Sequence, residues 1–298
     1  MSERRVLITG AGGFVGRALA TGFADLGWAV VGLDRAFDEE PEGSRIRRIV
    51  ADLAEGVPDG VPETDLVIHA AWVTTDPKTL GITTREYHDR NLLPLEALLH
   101  YSRGVEPDAF VFISSSGVFM PDDAPDGLSD DAQPTGDSPY AETKLLGEAM
   151  TADRLAERAT AAHVVRLGYL FGPDEVERDT RQGVSLIARW VEAARTGDPL
   201  EVRADDPERE WTFAPDLAKA LERVALGPAA GRPVHLGSPY VYRDSEVAAC
   251  IAADMPGAGI VTVPSSGRVK APMIPSEVPA LGDFTWTDVP TGLRALAA

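Results

Sequence analysis

The chain has 298 residues, 44% of them hydrophobic and 25% charged, and a formal net charge of -19. That length and balance suit a soluble globular protein with one large core or a core plus a smaller lobe; so acidic a surface repels nucleic acid and anionic lipid, and neither is expected as a partner. A single cysteine, Cys250, excludes a disulfide framework and a Cys-based zinc site, and five histidines without ligand spacing argue against a metal hydrolase.

The N-terminal stretch "MSERRVLITGAGG" has no apolar signal core, and no run approaches the roughly 18 apolar residues of a membrane span, so a reducing cytoplasm is the expected location. "RVLITG" (Arg5–Gly10) predicts a buried strand and "FVGRALATGFADLG" (Phe14–Gly27) a helix stopped by glycine. "AVVGLD" (Ala29–Asp34) and "DLVIHAA" (Asp65–Ala71) read as further strands, followed by a helix over roughly 85–102. "AFVFISSS" (Ala109–Ser116), a helix from Tyr140 and a strand "HVVRLGYLFG" (His163–Gly172) complete the run. The strand segments are apolar throughout rather than alternating, as expected of strands covered on both faces. Strand and helix alternate, so the fold class is α/β, a Rossmann-type doubly wound parallel sheet.

After Gly172 the rhythm changes to polar loops around "LIARWVEAARTG", with late strands "PVHLG" and "GIVTV" and helices "APDLAKALERVALG" and "SEVAACIAADM". Residues 1–172 are read as the nucleotide-binding domain and 173–298 as a smaller mixed lobe interleaved with the main sheet. "PSSGRVKAPMIPSEVPALGD" is rich in Pro, Ser and Gly and is expected to be irregular.

The first strand runs into "TGAGGFVG", which spans Gly10, Gly13, Phe14, Val15 and Gly16. Glycines at this spacing let backbone N–H groups approach a pyrophosphate at the positive end of a helix, although a tight strand-to-helix turn needs glycines too. Asp34 closes the second strand, where an acid that bonds an adenosine ribose belongs. Its carboxylate would repel the 2′-phosphate of NADP, so NAD is the expected cofactor; Arg35 beside it softens that preference.

Tyr140 and Lys144 lie one helical turn apart on one face, and Ser114, Ser115 and Ser116 end the strand before them. Strand carboxyl ends face the ligand crevice in such a sheet, which would bring hydroxyl, phenol and ammonium together. A free phenol has a pKa near 10, roughly three units above working pH, a cost of about 4 kcal/mol. A nearby ammonium lowers that cost, making tyrosine a base for alcohol oxidation and an acid for ketone reduction.

With "TGAGGFVG", Asp34, Asp52-Leu53, "VIHAAW", Asn91, "SSSGVF", "YAETK", "RLGYLFGP" and "REWTFAPDLA" in order, nearly the whole chain resembles the extended short-chain dehydrogenase/reductase superfamily, the NAD-dependent epimerase/dehydratase family. The resemblance implies a catalytic set of Ser115, Tyr140 and Lys144, with Ser116 the alternative serine and Ser114 packed within the strand. It further implies that Asp52 and Leu53 flank adenine, that Ala70 and Ala71 wrap the cofactor, and that Tyr140 and Lys144 also touch it. Asp52 could equally cap a helix, and His69 reads as a satisfied buried histidine. Asn91 either bonds helix backbone near the site or is a polar core residue.

The family's 4,6-dehydratases follow their serine position with an Asp-Glu pair; here Ser116 and Gly117 stand there, which disfavours dehydration. Tyr169 occupies the place of an asparagine common in nucleotide-sugar enzymes. Arg209 matches an arginine that contacts diphosphate and is otherwise a surface partner for Glu208 or Glu210, while Trp72 either narrows the pocket or packs in the core. These features imply NAD-dependent oxidoreduction at a secondary hydroxyl of a sugar, sugar acid or polyol, with Trp72, Ser116, Tyr169 and Arg209 as substrate contacts. The alternatives are a cofactor-retaining nucleotide-sugar epimerase and, against the presence of both Tyr140 and Lys144, a cofactor-binding regulator without turnover. The resemblance also implies a homodimer paired through the helices around Leu92, Leu95 and Leu98 and around Leu145 and Met150.

Overall fold

The structure, a computed structural model, describes residues 3–37, 45–255 and 257–297. The first half alternates strand and helix: β1 (Arg5–Thr9), α1 (Phe14–Asp25), β2 (Ala29–Asp34), β3 (Ile46–Val50), β4 (Leu66–His69), α2 (Pro77–Leu80), α3 (Thr84–Val105), β5 (Ala109–Ser115), α4 (Pro139–Arg154) and β6 (Ala161–Leu167). The second half contains β7 (Tyr169–Phe171), α5 (Leu186–Thr196), β8 (Leu200–Arg203), β9 (Glu208–Phe213), α6 (Leu217–Ala225), β10 (Val234–Leu236), β11 (Val241–Arg243), α7 (Asp244–Asp254), β12 (Ile260–Val263) and α8 (Val289–Ala297).

Seven parallel strands form one sheet in the order β10-β6-β5-β4-β1-β2-β3. The direction of winding reverses between β1 and β4, and the crevice outside the carboxyl ends there is where ligands of such sheets bind. Alternate residues of β1 explain the unbroken apolar strands. Val6 and Ile8 pack with α1 and α6, through Leu19, Phe23, Leu217 and Leu221, whereas Leu7 packs on the other face with Leu95, Leu98, Leu99 and Phe112. Smaller sheets lie beside this one: β11-β9-β7 and the pair β12-β8, gathered around Trp190, Trp211 and Phe171. No helix among the described residues is long and apolar enough to cross a membrane.

Two expectations change. The stretch 163–172 is not one strand: β6 stays in the main sheet, whereas β7 leaves it after Gly168 to pair with β9. Leu95 and Leu98 are fully buried against the chain's own sheet, so they cannot face a second copy; the exposed leucines of α3 and α4 are Leu93 and Leu146. β3 escapes a search for apolar runs because "IRRIV" is a half-exposed edge strand. Truncating Leu98→Ala removes part of the α3 seam and is expected to cost about 2–5 kcal/mol in urea unfolding; a loss under about 1 kcal/mol would contradict this packing.

Candidate active site

The loop after β1 turns at Gly10, whose φ of +70° and an added Cβ only 2.6 Å from the Ala71 nitrogen leave room for no other residue. α1 starts at Gly13 with no side-chain cap, so its first N–H groups face the crevice unsatisfied by the chain's own side chains. Asp34, at the end of β2, accepts from the Gly12 N–H at 2.9 Å and the Arg35 N–H at 2.7 Å, which aims the carboxylate at the crevice edge. A cavity of about 270 Å³ runs from Asp34 past Asp52 and Leu53 to Ala70 and Ala71. Asp52 also caps a short helical turn through the Ala54 N–H (2.9 Å), and Leu53 anchors beneath it in the core. This uncapped helix start, glycine turn and acid fit a dinucleotide.

A second cavity of about 450 Å³ shares Gly10, Gly13, Ala70 and Trp72 with the first and continues along Phe14, Val15 and Gly16 to Ser115, Tyr140 and Lys144. Ser115 ends β5, and its hydroxyl accepts the Gly117 N–H at 3.0 Å. Ser138 caps α4 through the Ala141 N–H (3.1 Å) and Pro139 opens the helix, which sets Tyr140 in the first turn. Burial pushes the Tyr140 phenol up, against a hydrogen bond with Ser115 and the charge of Arg181, both of which favour the phenolate. Lys144 donates to the Ile113 carbonyl at 2.7 Å and lies 4.0 Å from the Trp72 ring centroid and 6.0 Å from that of Tyr140. Its burial brings the ammonium down to about 7 despite the nearby Glu148.

Neighbouring residues fix these positions. Trp72 lines both cavities and covers Lys144, edge-on to His69 and Phe112. Asn91 accepts the Val73 N–H (2.7 Å) and donates to the Val73 carbonyl (3.3 Å), so it secures the loop after Trp72 rather than helix backbone. Ser114 also lines the cavity, but its hydroxyl is engaged: it donates to Glu148 (2.6 Å), which Arg166 grips with two hydrogen bonds. His69 pairs with Thr9 at 2.8 Å, and burial lowers it to about 3.

Tyr169 and Arg209 line the second cavity. Arg209 is buried and pairs with Asp244 (2.8 and 3.2 Å), not with Glu208 or Glu210, and its guanidinium lies over the Tyr169 ring. Ser116, expected to touch substrate, does not line the cavity: it is buried, and its hydroxyl and carbonyl accept the Lys270 ammonium at 2.9 and 2.7 Å. Lys270 lies in the Pro- and Gly-rich tail, where no periodicity marks it. Arg181, which lines the cavity near Tyr140, was likewise hidden in a polar loop.

A model of the NAD dependent epimerase/dehydratase family matches residues 6–237. The chain belongs to that family. It is 29% identical over 240 residues to a 2-alkyl-3-oxoalkanoate reductase of Stenotrophomonas maltophilia, covering 76% of this chain and 67% of the relative. Among solved structures it is similar to an epimerase of Methanothermobacter thermautotrophicus, with a TM-score of 0.82, 25% identity and coverage of 98% and 90% of the two chains. It is also similar to MoeE5, solved with UDP-glucuronic acid and NAD, with a TM-score of 0.79, 26% identity and coverage of 97% and 96%. The fold is that of the extended short-chain dehydrogenases, and the cofactor of the family is NAD.

A Cβ on Gly117 would lie 2.7 Å from Tyr140 Cε1, so Gly117→Ala forces the phenol aside. Displacement by about 1 Å is expected to cut turnover roughly 100-fold; turnover within about twofold of the parent would exclude this contact as a constraint. For His69, lowered from 6.5 to about 3, the unfolded chain takes up a proton between those values and the fold does not. Stability is therefore unaffected above pH 6.5 and falls as pH drops from 6.5 toward 3. Imidazole ¹⁵N shifts at pH 5 should report a neutral ring, and a protonated one would refute this.

Proposed function

We propose that the protein is an NAD-dependent oxidoreductase that interconverts a secondary hydroxyl and a ketone on a sugar, sugar acid or polyol. The observation that carries this reading is the convergence of Ser115, Tyr140 and Lys144 on a cavity continuous with the glycine loop. NAD, when bound at that loop, supplies the hydride acceptor.

Tyr140 removes the hydroxyl proton in oxidation and returns it in reduction, while Ser115 holds the substrate oxygen. Burial makes the phenolate costly, and the Ser115 hydrogen bond and the Arg181 charge offset part of that cost; the Lys144 nitrogen lies 6.0 Å from the ring centroid. Gly10, Gly13, Phe14, Val15 and Gly16 hold the pyrophosphate, Asp34 the adenosine ribose, and Asp52, Leu53, Ala70 and Ala71 the walls around the nucleotide. Trp72, Tyr169 and Arg209 then face the substrate.

Elimination of water needs an acid beside the reacting carbon. No Asp or Glu lines the second cavity among the described residues, which supports oxidoreduction without dehydration. The similarity to a 2-alkyl-3-oxoalkanoate reductase supports net transfer of hydride to or from the substrate. A cofactor-retaining nucleotide-sugar epimerase is the second reading, favoured by the similarity to MoeE5 bound to UDP-glucuronic acid and NAD. Exposed Leu93 on α3 and Leu146 on α4 support pairing of two copies through these helices.

Absorbance at 340 nm with NAD across sugars, aldonic and uronic acids, polyols and nucleotide sugars tests the proposal. Steady NADH formation on a non-nucleotide substrate is expected, reduced at least about 1,000-fold in Tyr140→Phe, within the 10²–10⁴ range of a lost acid-base group. A stereoisomer of a nucleotide sugar appearing by NMR, without net NADH, would replace the dehydrogenase with the epimerase.

A further inference from the structure

The segment 173–185, between β7 and α5, crosses from the second cavity toward the loop after β4. Arg178 and Arg181 exchange two backbone hydrogen bonds of 2.9 Å, closing a tight hairpin with Asp179 and Thr180 at its tip. The tip is tied to Thr74 and Thr75: the Thr180 carbonyl accepts both N–H groups (2.7 and 3.1 Å), the Asp179 carbonyl accepts the Thr75 hydroxyl (3.0 Å), and that hydroxyl accepts the Gln182 N–H (2.9 Å). The hairpin is thereby a fixed strap across the crevice.

Its arginine is built to meet a ligand. One terminal nitrogen of Arg181 donates to buried Glu175, whose carboxylate also accepts the Ser185 N–H and hydroxyl, each at 2.7 Å. The other, Nη1, is shielded from water and has no hydrogen-bond partner. A buried guanidinium N–H left this way costs free energy unless an acceptor arrives. The guanidinium lies 5.1 Å above the Phe14 ring, at the start of α1, and lines the same cavity as Tyr140. Of the other cations there, Arg209 is paired with Asp244, Lys144 is held by Ile113 and Trp72, Arg178 has interactions of its own, and Arg189 is exposed.

We propose that Arg181 is an anion-binding residue whose open Nη1 edge holds an oxyanion between Phe14 and Tyr140. Two sources carry that chemistry: a phosphate oxygen of the bound dinucleotide, or a carboxylate or phosphate on the substrate. The inference rests on the cofactor and tyrosine placement of the proposed function.

Isothermal titration calorimetry separates the sources, using full-length protein, Arg181→Gln and Arg181→Lys, with thermal melts to confirm folding. NAD and ADP-ribose are titrated first, then malonate and inorganic phosphate into NAD-saturated protein. A charge-assisted hydrogen bond to an oxyanion predicts losses of about tenfold or more in Arg181→Gln, with partial recovery in Arg181→Lys. Weaker NAD and ADP-ribose binding assigns the cofactor phosphate. Unchanged NAD binding with malonate or phosphate binding lost assigns the substrate anion. If the parent binds NAD and every affinity stays within about twofold in Arg181→Gln, or malonate and phosphate bind neither protein while NAD is unaffected, the anion role is overturned. A parent that binds no NAD would bring down the proposed function itself.

Discussion

The site depends on one buried ammonium. Lys144 has exchanged water for the Ile113 carbonyl and the faces of Trp72 and Phe112, an exchange an ammonium tolerates only when α4 lies close against β5. Gly147 sets that closeness: a Cβ there would lie 2.5 Å from the Phe112 ring. Glu148, gripped by Ser114 of β5 and Arg166 of β6, bolts the same helix to the sheet, and its charge favours the protonated lysine. With the helix so placed, its first turn brings Tyr140 to Ser115, and the Gly117 turn leaves space for the ring. A buried ion, a helix-sheet distance and the position of a phenol are therefore one constraint.

How much of this could be read in advance follows from the range of each interaction. The glycine loop, Asp34 and the Tyr140-Lys144 pair are legible because their geometry is local: a strand, a turn and one helical period fix where the groups point. The departure of β7 from the main sheet was not legible, since residues 163–172 are apolar whichever partner they take; the choice is made by β9, some forty residues later. Arg209 finds Asp244 and Ser116 finds Lys270 across similar or greater separations, with no pattern to announce either. Leu95 and Leu98 show the limit of helical spacing, which predicts an apolar face without saying whether it meets the chain's own sheet or a second copy.

Charge is distributed against the average. The chain is strongly acidic, yet Lys144, Arg178, Arg181, Arg189 and Arg209 line the second cavity and no carboxylate does among the described residues. Arg209 and Arg181 are balanced from behind by Asp244 and Glu175, so the cavity wall presents cations while the acidic exterior repels polyanions. Among these cations, Arg181 favours the Tyr140 phenolate that burial opposes.

Oxidoreduction and epimerisation begin with the same proton and hydride, so Ser115, Tyr140 and Lys144 do not distinguish them. The difference is whether a keto intermediate can turn over before it leaves, and that depends on the walls. Trp72, Tyr169 and Trp211 present rigid rings to the cavity. Tyr169 has Arg209 4.7 Å and Lys270 5.4 Å from its centroid and is packed against Trp211 at 5.4 Å. Arg209 is in turn fixed by Asp244 and cannot swing away without leaving a buried carboxylate unpaired, while Lys270 is held by two hydrogen bonds to Ser116. Presenting the opposite face of a sugar requires room for the ring to turn between these fixed walls. The volume left between them, rather than the catalytic side chains, is what separates the two proposed reactions.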